Sequence, residues 1–388
     1  MISLLVVAFL LQLVYIGLLL YYRFAWLQIP VFKAAAPSTA STTSITVLIP
    51  ARNEESNLPL LLDSLQAQSY PSHLFEVIVM DDHSTDATVG VANRYANVKV
   101  LSLKEFMPGG IINSYKKKAI EIGIQQSRGT LIVTTDADCY AETNWLQTIA
   151  GFYETHQPAL IVMPVAINCS AKAIEIFQAL DFMTLQGITG AAVHQKQLSM
   201  CNGANLAYTR MAFDVVNGFD GIDSIASGDD MLLMHKIALQ FPGKIAYLKS
   251  PEVIIQTAPV HTVKAFFNQR IRWASKADKY EDKRIFWVLL LVYCFNVMLL
   301  LLPIIAIGAG LLWTMDYGPW TMVTTWLVLI LLKTIAELLF LYPVAKFFHK
   351  QSLLWLFPLA QPFHILYTIV AGWLGMFGSY QWKDRTVK

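Results

Sequence analysis

The stretch from Leu131 to Cys139, Leu-Ile-Val-Thr-Thr-Asp-Ala-Asp-Cys, decides the fold expected for this chain. Its apolar and β-branched residues predict a buried strand, which ends abruptly at Asp136 and Asp138. An Asp-x-Asp pair at the carboxyl end of a strand can hold a divalent cation and, through it, a diphosphate. Isolated Asp-x-Asp pairs also occur in ordinary surface turns. Whether this pair indicates a binding site therefore depends on the other motifs in the chain.

The composition indicates that the chain meets both lipid and water. Of its 388 residues, 55% are hydrophobic and only 14% are charged, whereas soluble proteins carry about 25% charged residues. The net charge of +2 is too small to suggest nucleic acid as a partner. The 4 cysteines show no spacing typical of disulfides or metal sites, and they fit reduced thiols.

Apolar segments at both ends predict a multi-pass membrane protein. Residues 1–23 are nearly free of charge and long enough to cross a bilayer, so we expect an amino-terminal anchor. A cleaved signal peptide is the alternative, but the segment lacks a basic start. Residues 24–43 are expected to form a linker, and residues 285–378 to contain about three further spans before a basic tail, 379–388.

The side of the membrane on which the carboxyl terminus lies stays open. A cytosolic catalytic domain places Lys346 and Lys350 inside, as the positive-inside rule prefers, but it then places the basic tail outside. Pro358 and Pro362 offer an alternative, because they can break the last segment into a re-entrant or interfacial piece that brings the tail back.

Two charged residues interrupt the middle carboxyl-terminal span. Lys333 and Glu337 lie four positions apart, so they can pair within one helix. One interpretation is a packed ion pair that faces another helix, and the other is contact with a lipid headgroup.

Residues 44–260 alternate between strands and helices, which predicts an α/β domain with a mainly parallel sheet. The predicted strands are Ile45–Pro50, Phe75–Met80 and Thr130–Thr135, and the first predicted helices are Glu54–Gln68 and Asp86–Tyr95. Ligands of such sheets bind beyond the carboxyl ends of the strands. The polar segments at residues 50–54, 81–82 and 136–138 all follow strands, so we expect them to form one site.

Residues 45–273 contain an ordered set of motifs: Pro50-Ala51-Arg52-Asn53-Glu54-Glu55, Asp81-Asp82-His83-Ser84-Thr85-Asp86, Asp136-Ala137-Asp138, Gly203-Ala204-Asn205-Leu206-Ala207-Tyr208, Gly218-Phe219-Asp220, Gly228-Asp229-Asp230 and Gln269-Arg270-Ile271-Arg272-Trp273. With these motifs, residues 45–273 resemble a family 2 glycosyltransferase with the Rossmann-like GT-A fold. The membrane segments resemble those of ceramide glucosyltransferase-like enzymes and, more distantly, of polysaccharide synthases. The chain departs from the family at His83, where glycine is usual.

The resemblance implies a donor site for a nucleotide sugar. It makes Asp138 the direct ligand of Mg²⁺ or Mn²⁺ and places Asp136 beside it, near the ribose. The groups implied to bind the base and ribose are Pro50, Arg52, Glu54 and Asp82, and Lys117 is implied to reach the diphosphate. The structural alternatives are a solvated basic face for Lys116–Lys118 and a first-turn helix position for Glu54.

The resemblance also implies an acceptor side. Asp230 is expected to be the general base, supported by Asp229, which replaces the usual Glu; a helix N-cap is the alternative, and it fits Asp229 better than Asp230. Asn205 lies in the implied acceptor loop. The implied roles in residues 261–284 are pairing of Arg272 with the diphosphate and stacking of Trp273 on a sugar, with Gln269 beside them. That segment is also expected to be an interfacial helix with Phe266, Phe267 and Trp273 in lipid.

The leading hypothesis is an inverting glycosyltransferase that moves a sugar from a nucleotide diphosphate, with a preference for uridine, to a lipid-linked or glycan acceptor. It places the catalytic domain on the cytosolic face of an inner membrane. Two alternatives stay open: a processive polysaccharide synthase, which the Gln-x-x-Arg-Trp motif also permits, and a membrane scaffold that keeps the fold without activity.

Overall fold

A computed structural model describes residues 2–33, 41–107, 114–198, 200–225, 228–275, 283–312, 318–377, 380–382 and 385–387. Parts of the predicted linker (34–40), interfacial segment (276–282) and basic tail lie outside the described residues. The chain divides into two compact units, which we call the α/β unit (28–169 and 188–259) and the helical unit (1–27, 170–187 and 260–388). This division differs from the predicted domain 44–260, because residues 170–187 belong to the helical unit.

The secondary structure combines short strands with helices of very different lengths. The strands are β1 (Ile45–Ala51), β2 (Phe75–Asp81), β3 (Val98–Ser102), β4 (Leu131–Thr134), β5 (Cys139–Tyr140), β6 (Leu160–Val162), β7 (Val165–Ile167), β8 (Leu206–Thr209), β9 (Ile245–Tyr247), β10 (Ile255–Thr257), β11 (Tyr380–Trp382) and β12 (Arg385–Val387). The helices are α1 (Ile2–Gln28), α2 (Leu58–Gln66), α3 (Thr88–Ala92), α4 (Leu103–Phe106), α5 (Tyr115–Gln125), α6 (Trp145–His156), α7 (Ala173–His194), α8 (Arg210–Val215), α9 (Met231–Gln240), α10 (Val263–Ala274), α11 (Lys283–Leu312), α12 (Gly318–Phe347) and α13 (Phe357–Phe377).

The α/β unit is built on a seven-stranded sheet with the order β3-β2-β1-β4-β8-β6-β9. β1 pairs in parallel with β2 and β4, and β2 with β3, whereas β8 runs antiparallel to both of its neighbours. The central strands are apolar along their length and buried, as strands covered on both faces must be. The predicted α/β class and the mainly parallel sheet are confirmed.

The carboxyl ends of the central strands meet at one edge of the sheet. Ala51 lies opposite Asp81 in the register of β1 and β2, and the Asp82 N–H donates to the Ala51 carbonyl at 2.8 Å. On the other side of β1, the Thr135 N–H donates to the Leu48 carbonyl at 3.2 Å. The turn that contains Asp136 therefore begins beside the end of β1, as the sequence predicted.

The helices that follow β1 and β2 begin later than predicted. α2 starts at Leu58 rather than Glu54, because Pro59 suits the first turn of a helix and the preceding residues form turns instead. The Leu58 N–H donates to the Glu54 carbonyl at 2.9 Å within one of these turns. The first-turn interpretation of Glu54 is therefore wrong. α3 likewise starts at Thr88, whose N–H donates to Asp86 Oδ1 at 3.0 Å.

In the described part of the helical unit, four helical stretches are long and apolar enough to cross a membrane: Ser3–Gln28, Lys283–Gly308, Trp320–Phe347 and Gln351–Met376. Their number agrees with the sequence-based count of candidate spans. Pro303, Pro343 and Pro362 lie inside these helices, where neighbouring helices can satisfy the freed backbone groups.

Lys333 and Glu337 form a buried ion pair that joins three helices. Lys333 Nζ lies 2.7 Å from Glu337 Oε1 and 2.6 Å from Gln361 Oε1. Gln361 Nε2 donates to Glu337 Oε2 at 2.5 Å, and the Tyr15 hydroxyl donates to Glu337 Oε1 at 2.5 Å. The pair thus connects α12 to α1 and α13, which confirms the packed ion pair and excludes the lipid-headgroup interpretation for these two side chains.

Replacing Gly129 by alanine is expected to destabilise the α/β unit by about 1–3 kcal/mol, because the added Cβ overpacks a filled site. That Cβ would lie 2.4 Å from the backbone nitrogen of Thr46. Gly90→Ala is the control: Gly90 has nothing within 4 Å and lies in α3, where alanine gains up to about 1 kcal/mol. Thermal unfolding of both variants compares them, and equal melting temperatures would contradict the packing argument.

Glu337→Gln is expected to lower the free energy of unfolding of the helical unit by about 3–5 kcal/mol, because it leaves the Lys333 ammonium buried without a counter-charge. Adding Lys333→Met to the same variant should recover most of the loss. SDS-induced unfolding measures both, with Leu331→Ala as a control at a side chain that is 58% exposed. A double variant as unstable as Glu337→Gln would show that the charge imbalance is not the cause.

Candidate active site

The Asp136–Asp138 turn leaves β4 at the carboxyl edge of the sheet. The Cys139 N–H donates to the Asp136 carbonyl at 3.2 Å and closes the turn. The Asp136 side chain is 39% exposed, and Asp138 is partly exposed. Burial, followed by the charges of Asp138 and Asp136, raises the pKa of the Cys139 thiol. This thiol therefore stays protonated, in agreement with the reduced thiols expected from the sequence, and it is fully buried.

One ammonium group lies among the aspartates of this edge. Lys116 Nζ lies 2.8 Å from Asp136 Oδ1 and 3.3 Å from Asp229 Oδ2. Burial opposes the charge of this lysine, but Asp136, Asp229 and Asp230 outweigh it and raise the pKa of Lys116. The lysine therefore stays charged, and it is the natural counter-ion for a second anion brought to this edge.

Lys117, the lysine predicted to reach the diphosphate, faces the interior instead. Its Nζ donates to the Ile222 and Ile225 carbonyls at 2.6 and 2.7 Å, so it holds the 222–225 loop. Adjacent helical residues point about 100° apart, so only one of the two lysines can face the aspartates. The prediction for Lys117 is wrong in this structure. The sequence did indicate that Lys117 faces the interior, because Lys117 lies on the same helix face as Ile120 and Ile124.

Asp229 and Asp230 lie at the start of α9, and the helix N-cap is not the residue that the sequence favoured. Asp230, not Asp229, is the N-cap residue, and its Oδ1 accepts from the Met231 N–H at 2.7 Å. Asp230 Oδ2 accepts from the Gly203 N–H at 3.1 Å, so both oxygens are held in place. A Cβ on Gly203 would lie 3.1 Å from Asp229 Oδ2. Glycine thus permits the close approach of this loop to the acidic pair.

Asn205 is a structural residue and not a surface group. Its side chain is fully buried. Asn205 Nδ2 donates to the Pro164 and Val253 carbonyls, each at 2.7 Å, and Oδ1 accepts from Trp145 Nε1 at 3.1 Å. The predicted contact of Asn205 with substrate is therefore wrong, because burial and these bonds engage the whole amide.

Arg52 and Asp82 meet at the ends of β1 and β2. Arg52 Nη1 donates to the Asp82 carbonyl at 3.1 Å and lies 3.8 Å from Asp82 Oδ1. His83 has a φ of 56°, so the turn keeps the left-handed conformation that glycine favours, and histidine tolerates it there. His83 Nδ1 lies 3.0 Å from Asp82 Oδ1. Glu54 Oε2 accepts from Asn57 at 2.8 Å, and Pro50 is the penultimate residue of β1.

The Gln-x-x-Arg-Trp motif lies on α10 in the helical unit. Gln269 Oε1 accepts from Arg270 Nη1 at 3.2 Å, and the Arg270 guanidinium lies 4.2 Å from the ring centroid of Trp273. Arg272 is partly exposed. Phe266 is fully buried among protein side chains, so the expectation that it faces lipid is wrong.

The donor set at the sheet edge fits a cation that arrives with a diphosphate. Among the described residues, no three His, Cys, Asp or Glu side chains converge as a metal-binding group. Asp136 and Asp138 supply hard carboxylate oxygens, and Mg²⁺ or Mn²⁺ commonly takes its other ligands from phosphates and water. The position of the Lys116 ammonium against Asp136 shows that this edge attracts a positive charge.

A comparison with protein families classifies one part of the chain. The model of glycosyl transferase family 2 matches residues 46–216. Residues 46–216 are a glycosyl transferase family 2 domain. This family 2 domain contains the ends of β1, β2 and β4 together with Lys116, whereas Asp229, Asp230 and the α10 motif follow it in the chain.

Relatives of the family 2 domain include poly(ribitol-phosphate) beta-N-acetylglucosaminyltransferase of Staphylococcus aureus, which is 32% identical over 127 residues, or 32% of this chain and 21% of that protein. Beta-monoglucosyldiacylglycerol synthase of Synechocystis is 24% identical over 258 residues, or 64% of this chain and 50% of that protein. The alignments therefore cover at most half of these relatives' own length.

A solved structure aligns with most of this chain. The mannosyltransferase from Pyrobaculum calidifontis, determined in complex with GDP-Man and Mn²⁺, superposes with a TM-score of 0.55 at 18% identity, covering 96% of this chain and 99% of that one. This likeness confirms the GT-A fold predicted for the family 2 domain.

Lys116→Met is expected to tighten Mn²⁺ binding in the absence of donor by about tenfold, because the substitution removes a positive charge that competes with the cation for the aspartates. Lys118→Met is the matched control, since Lys118 Nζ pairs with Glu121 at 2.9 Å. Titration of Mn²⁺ followed by electron paramagnetic resonance measures both. An unchanged affinity in Lys116→Met would show that the ammonium and the metal do not compete.

Proposed function

We propose that this protein is an inverting glycosyltransferase that moves one sugar from a nucleotide diphosphate donor, preferably a UDP-sugar, to a hydroxyl of a lipid-linked acceptor. The observation that carries the proposal is the cluster of Asp136, Asp229 and Lys116 at the carboxyl edge of the sheet, to which the family 2 domain contributes Asp136 and Lys116. Such an edge is where open α/β sheets bind their ligands. Paired opposite charges there suit a substrate that brings both a diphosphate and a cation.

The donor side of the proposal uses the edge of β1, β2 and β4. Asp82 and Arg52, which contact each other, are proposed to hold the base and ribose, with Pro50 and Glu54 beside them. Asp138 and Asp136 would hold the cation, which stabilises the charge of the departing diphosphate when it is bound. Lys116 takes the diphosphate role that the sequence assigned to Lys117, because its ammonium faces the carboxylates.

The transfer step is proposed as a single displacement. The acceptor oxygen forms a bond to the anomeric carbon while the bond from that carbon to the diphosphate oxygen breaks, and the configuration inverts. The acceptor proton passes to the carboxylate of Asp230, and the nucleoside diphosphate leaves. Asp230 suits this role because the Gly203 and Met231 N–H groups fix its orientation, and a carboxylate oxygen that accepts one hydrogen bond keeps a further lone pair. Asp229 supports it by pairing with Lys116.

The acceptor is proposed to be a lipid because of the apolar helices in the same chain. The relative from Synechocystis is named for the synthesis of a glucosyl-diacylglycerol, which supports the same class of acceptor. Arg272 is proposed to pair with the diphosphate and Trp273 to stack on a sugar, with Gln269 beside them, as the resemblance implies. We further propose an inner-membrane location with the family 2 domain on the cytosolic side, where nucleotide sugars are made.

Asp230→Asn tests the proposed base, because asparagine caps a helix as well as aspartate does but takes up no proton. We expect wild-type protein in detergent, with Mn²⁺, membrane lipid and one sugar nucleotide from a panel, to release nucleoside diphosphate. The substitution should lower kcat by about 10²–10⁴ and leave donor binding unchanged. Asp214→Asn, at an exposed carboxylate on α8, is the control.

The outcomes separate the parts of the proposal. Activity that survives Asp230→Asn but not Asp229→Asn would move the base to Asp229. Release of pyrophosphate instead of nucleoside diphosphate would indicate nucleotidyl transfer. A polymeric product would favour the processive synthase. Wild-type protein that binds no donor across the panel would favour the non-catalytic scaffold.

A further inference from the structure

α13 runs beside α10 in the helical unit. The rings of Phe266 and Tyr367 lie 5.2 Å apart, and Ile271 packs with Ala371 in one buried cluster. A Cβ built on Gly375 would lie 2.6 Å from the Cβ of Ala274. From Phe266 to Ala274 and from Tyr367 to Gly375 the chain advances by the same number of residues. The two helices are therefore parallel and in register over about two turns.

α10 cannot cross a membrane. It has 12 residues, which make a helix of about 18 Å, whereas the hydrocarbon core is about 30 Å thick. It also carries Lys264, which is exposed, and Arg272, which is partly exposed, and such basic side chains favour a position at the membrane surface. A helix that lies along α10 shares its direction, so α13 is held in the orientation of a surface helix.

The contacts of α13 with α11 and α12 give the same orientation independently. Trp326 Nε1 donates to the Leu299 carbonyl at 2.8 Å, which places these residues at one height of the antiparallel pair α11 and α12. Tyr293 precedes Leu299 in α11 by about as many residues as Lys333 follows Trp326 in α12, so Tyr293 and Lys333 also lie at the same height. Gln361 bonds to Lys333, and a Cβ on Gly372 would lie 2.9 Å from the Tyr293 ring.

Gln361 and Gly372 are about 16 Å apart along α13, yet the residues that they contact, Lys333 of α12 and Tyr293 of α11, lie at the same height. A helix that ran along the α11–α12 pair would meet it at heights that differ by that distance. α13 therefore lies across the pair and not along it.

The surface of α13 is divided into two faces. The outward face is apolar along the whole helix, with side chains one heptad apart at Leu359, Leu366 and Trp373 that are 79%, 47% and 58% exposed. The opposite face is buried against protein and consists of Gln361, Ile365, Ala371 and Gly375. One continuous apolar face is what a helix needs to rest on the acyl chains of one leaflet.

A buried charged cluster holds this arrangement. Arg270 Nη2 of α10 lies 2.6 Å from Asp181 Oδ2 of α7, and the Tyr367 hydroxyl of α13 donates to Asp181 Oδ1. The Arg270 guanidinium also stacks on Phe266, 4.8 Å from its ring centroid. These contacts fix α7, α10 and α13 to one another while keeping both charges away from lipid.

We infer that α13 is a monotopic helix that lies in the plane of the membrane with its Leu359–Leu366–Trp373 face in the acyl chains of one leaflet. α1, α11 and α12 then cross the bilayer, and α13 does not. The carboxyl terminus lies on the side where α1 ends and α11 begins, which agrees with β11 packing against α10. The basic tail thereby joins Lys346 and Lys350 on one side, as the positive-inside rule prefers. This inference is independent of the proposed function.

Spin labels at single cysteines test the orientation of α13. Cys169, Cys201 and Cys294 are replaced by alanine, buried Cys139 is kept, and labels are placed at positions 359, 366 and 373 in turn. In bilayers, the accessibility of each label to oxygen and to a nickel chelate reports its depth. We expect the three depths to agree within about 5 Å, whereas a crossing helix would give steps of about 10 Å per heptad. Labels at exposed Leu331 and Leu339 of α12 calibrate the scale, with an expected difference of about 12 Å.

An epitope tag tests the same inference without any substitution. One version carries the tag after Lys388, and another carries it between Met315 and Asp316, in the connection from α11 to α12. Antibody access in sealed and in permeabilised cells gives the side of each tag. Tags on opposite sides support the in-plane helix, whatever the absolute orientation. Tags on the same side, or depth steps of about 10 Å along α13, would overturn it.

Discussion

The α/β unit depends on the neutralisation of crowded carboxylates at one edge of a parallel sheet. Asp136, Asp229 and Asp230 approach one another because strand ends and a helix start converge there, and like charges at such distances repel. The Lys116 ammonium, 2.8 Å from Asp136 and 3.3 Å from Asp229, offsets that repulsion. The same arrangement makes the edge suitable for a substrate that carries a cation and an anion together.

The helical unit meets the opposite constraint, since charges there must be kept from lipid. Two buried polar clusters do so, one around Lys333 and Glu337 and the other around Arg270 and Asp181. Each joins three helices, because a pair that also satisfies its remaining hydrogen bonds avoids the cost of a buried unpaired charge. The clusters therefore set helix orientation as well as stability, and α13 belongs to both through Gln361 and Tyr367.

Much of the fold was predictable because it rests on local patterns. The apolar run before Asp136 and the polar ends of β1 and β2 predicted the parallel sheet and its functional edge. The side of a helix on which one residue lies was harder to predict. Lys116 and Lys117 differ only in their direction on α5. Asp230, and not Asp229, is the N-cap residue of α9. The buried Asn205 side chain donates to the carbonyls of Pro164 and Val253. These outcomes depend on neighbours that are distant in the chain.

The sequence by itself determined the class of the protein: an α/β family 2 domain with carboxylates at strand ends, placed between long apolar segments. Periodicity, composition and motif order suffice for this, because they reflect burial and backbone geometry within single elements. The tertiary structure alone decided which lysine faces the aspartates and which aspartate caps α9. It also decided that α13, apolar enough to cross a membrane, lies across its neighbouring helices. Hydropathy measures whether a helix prefers lipid, whereas its direction is set by the side chains packed against it.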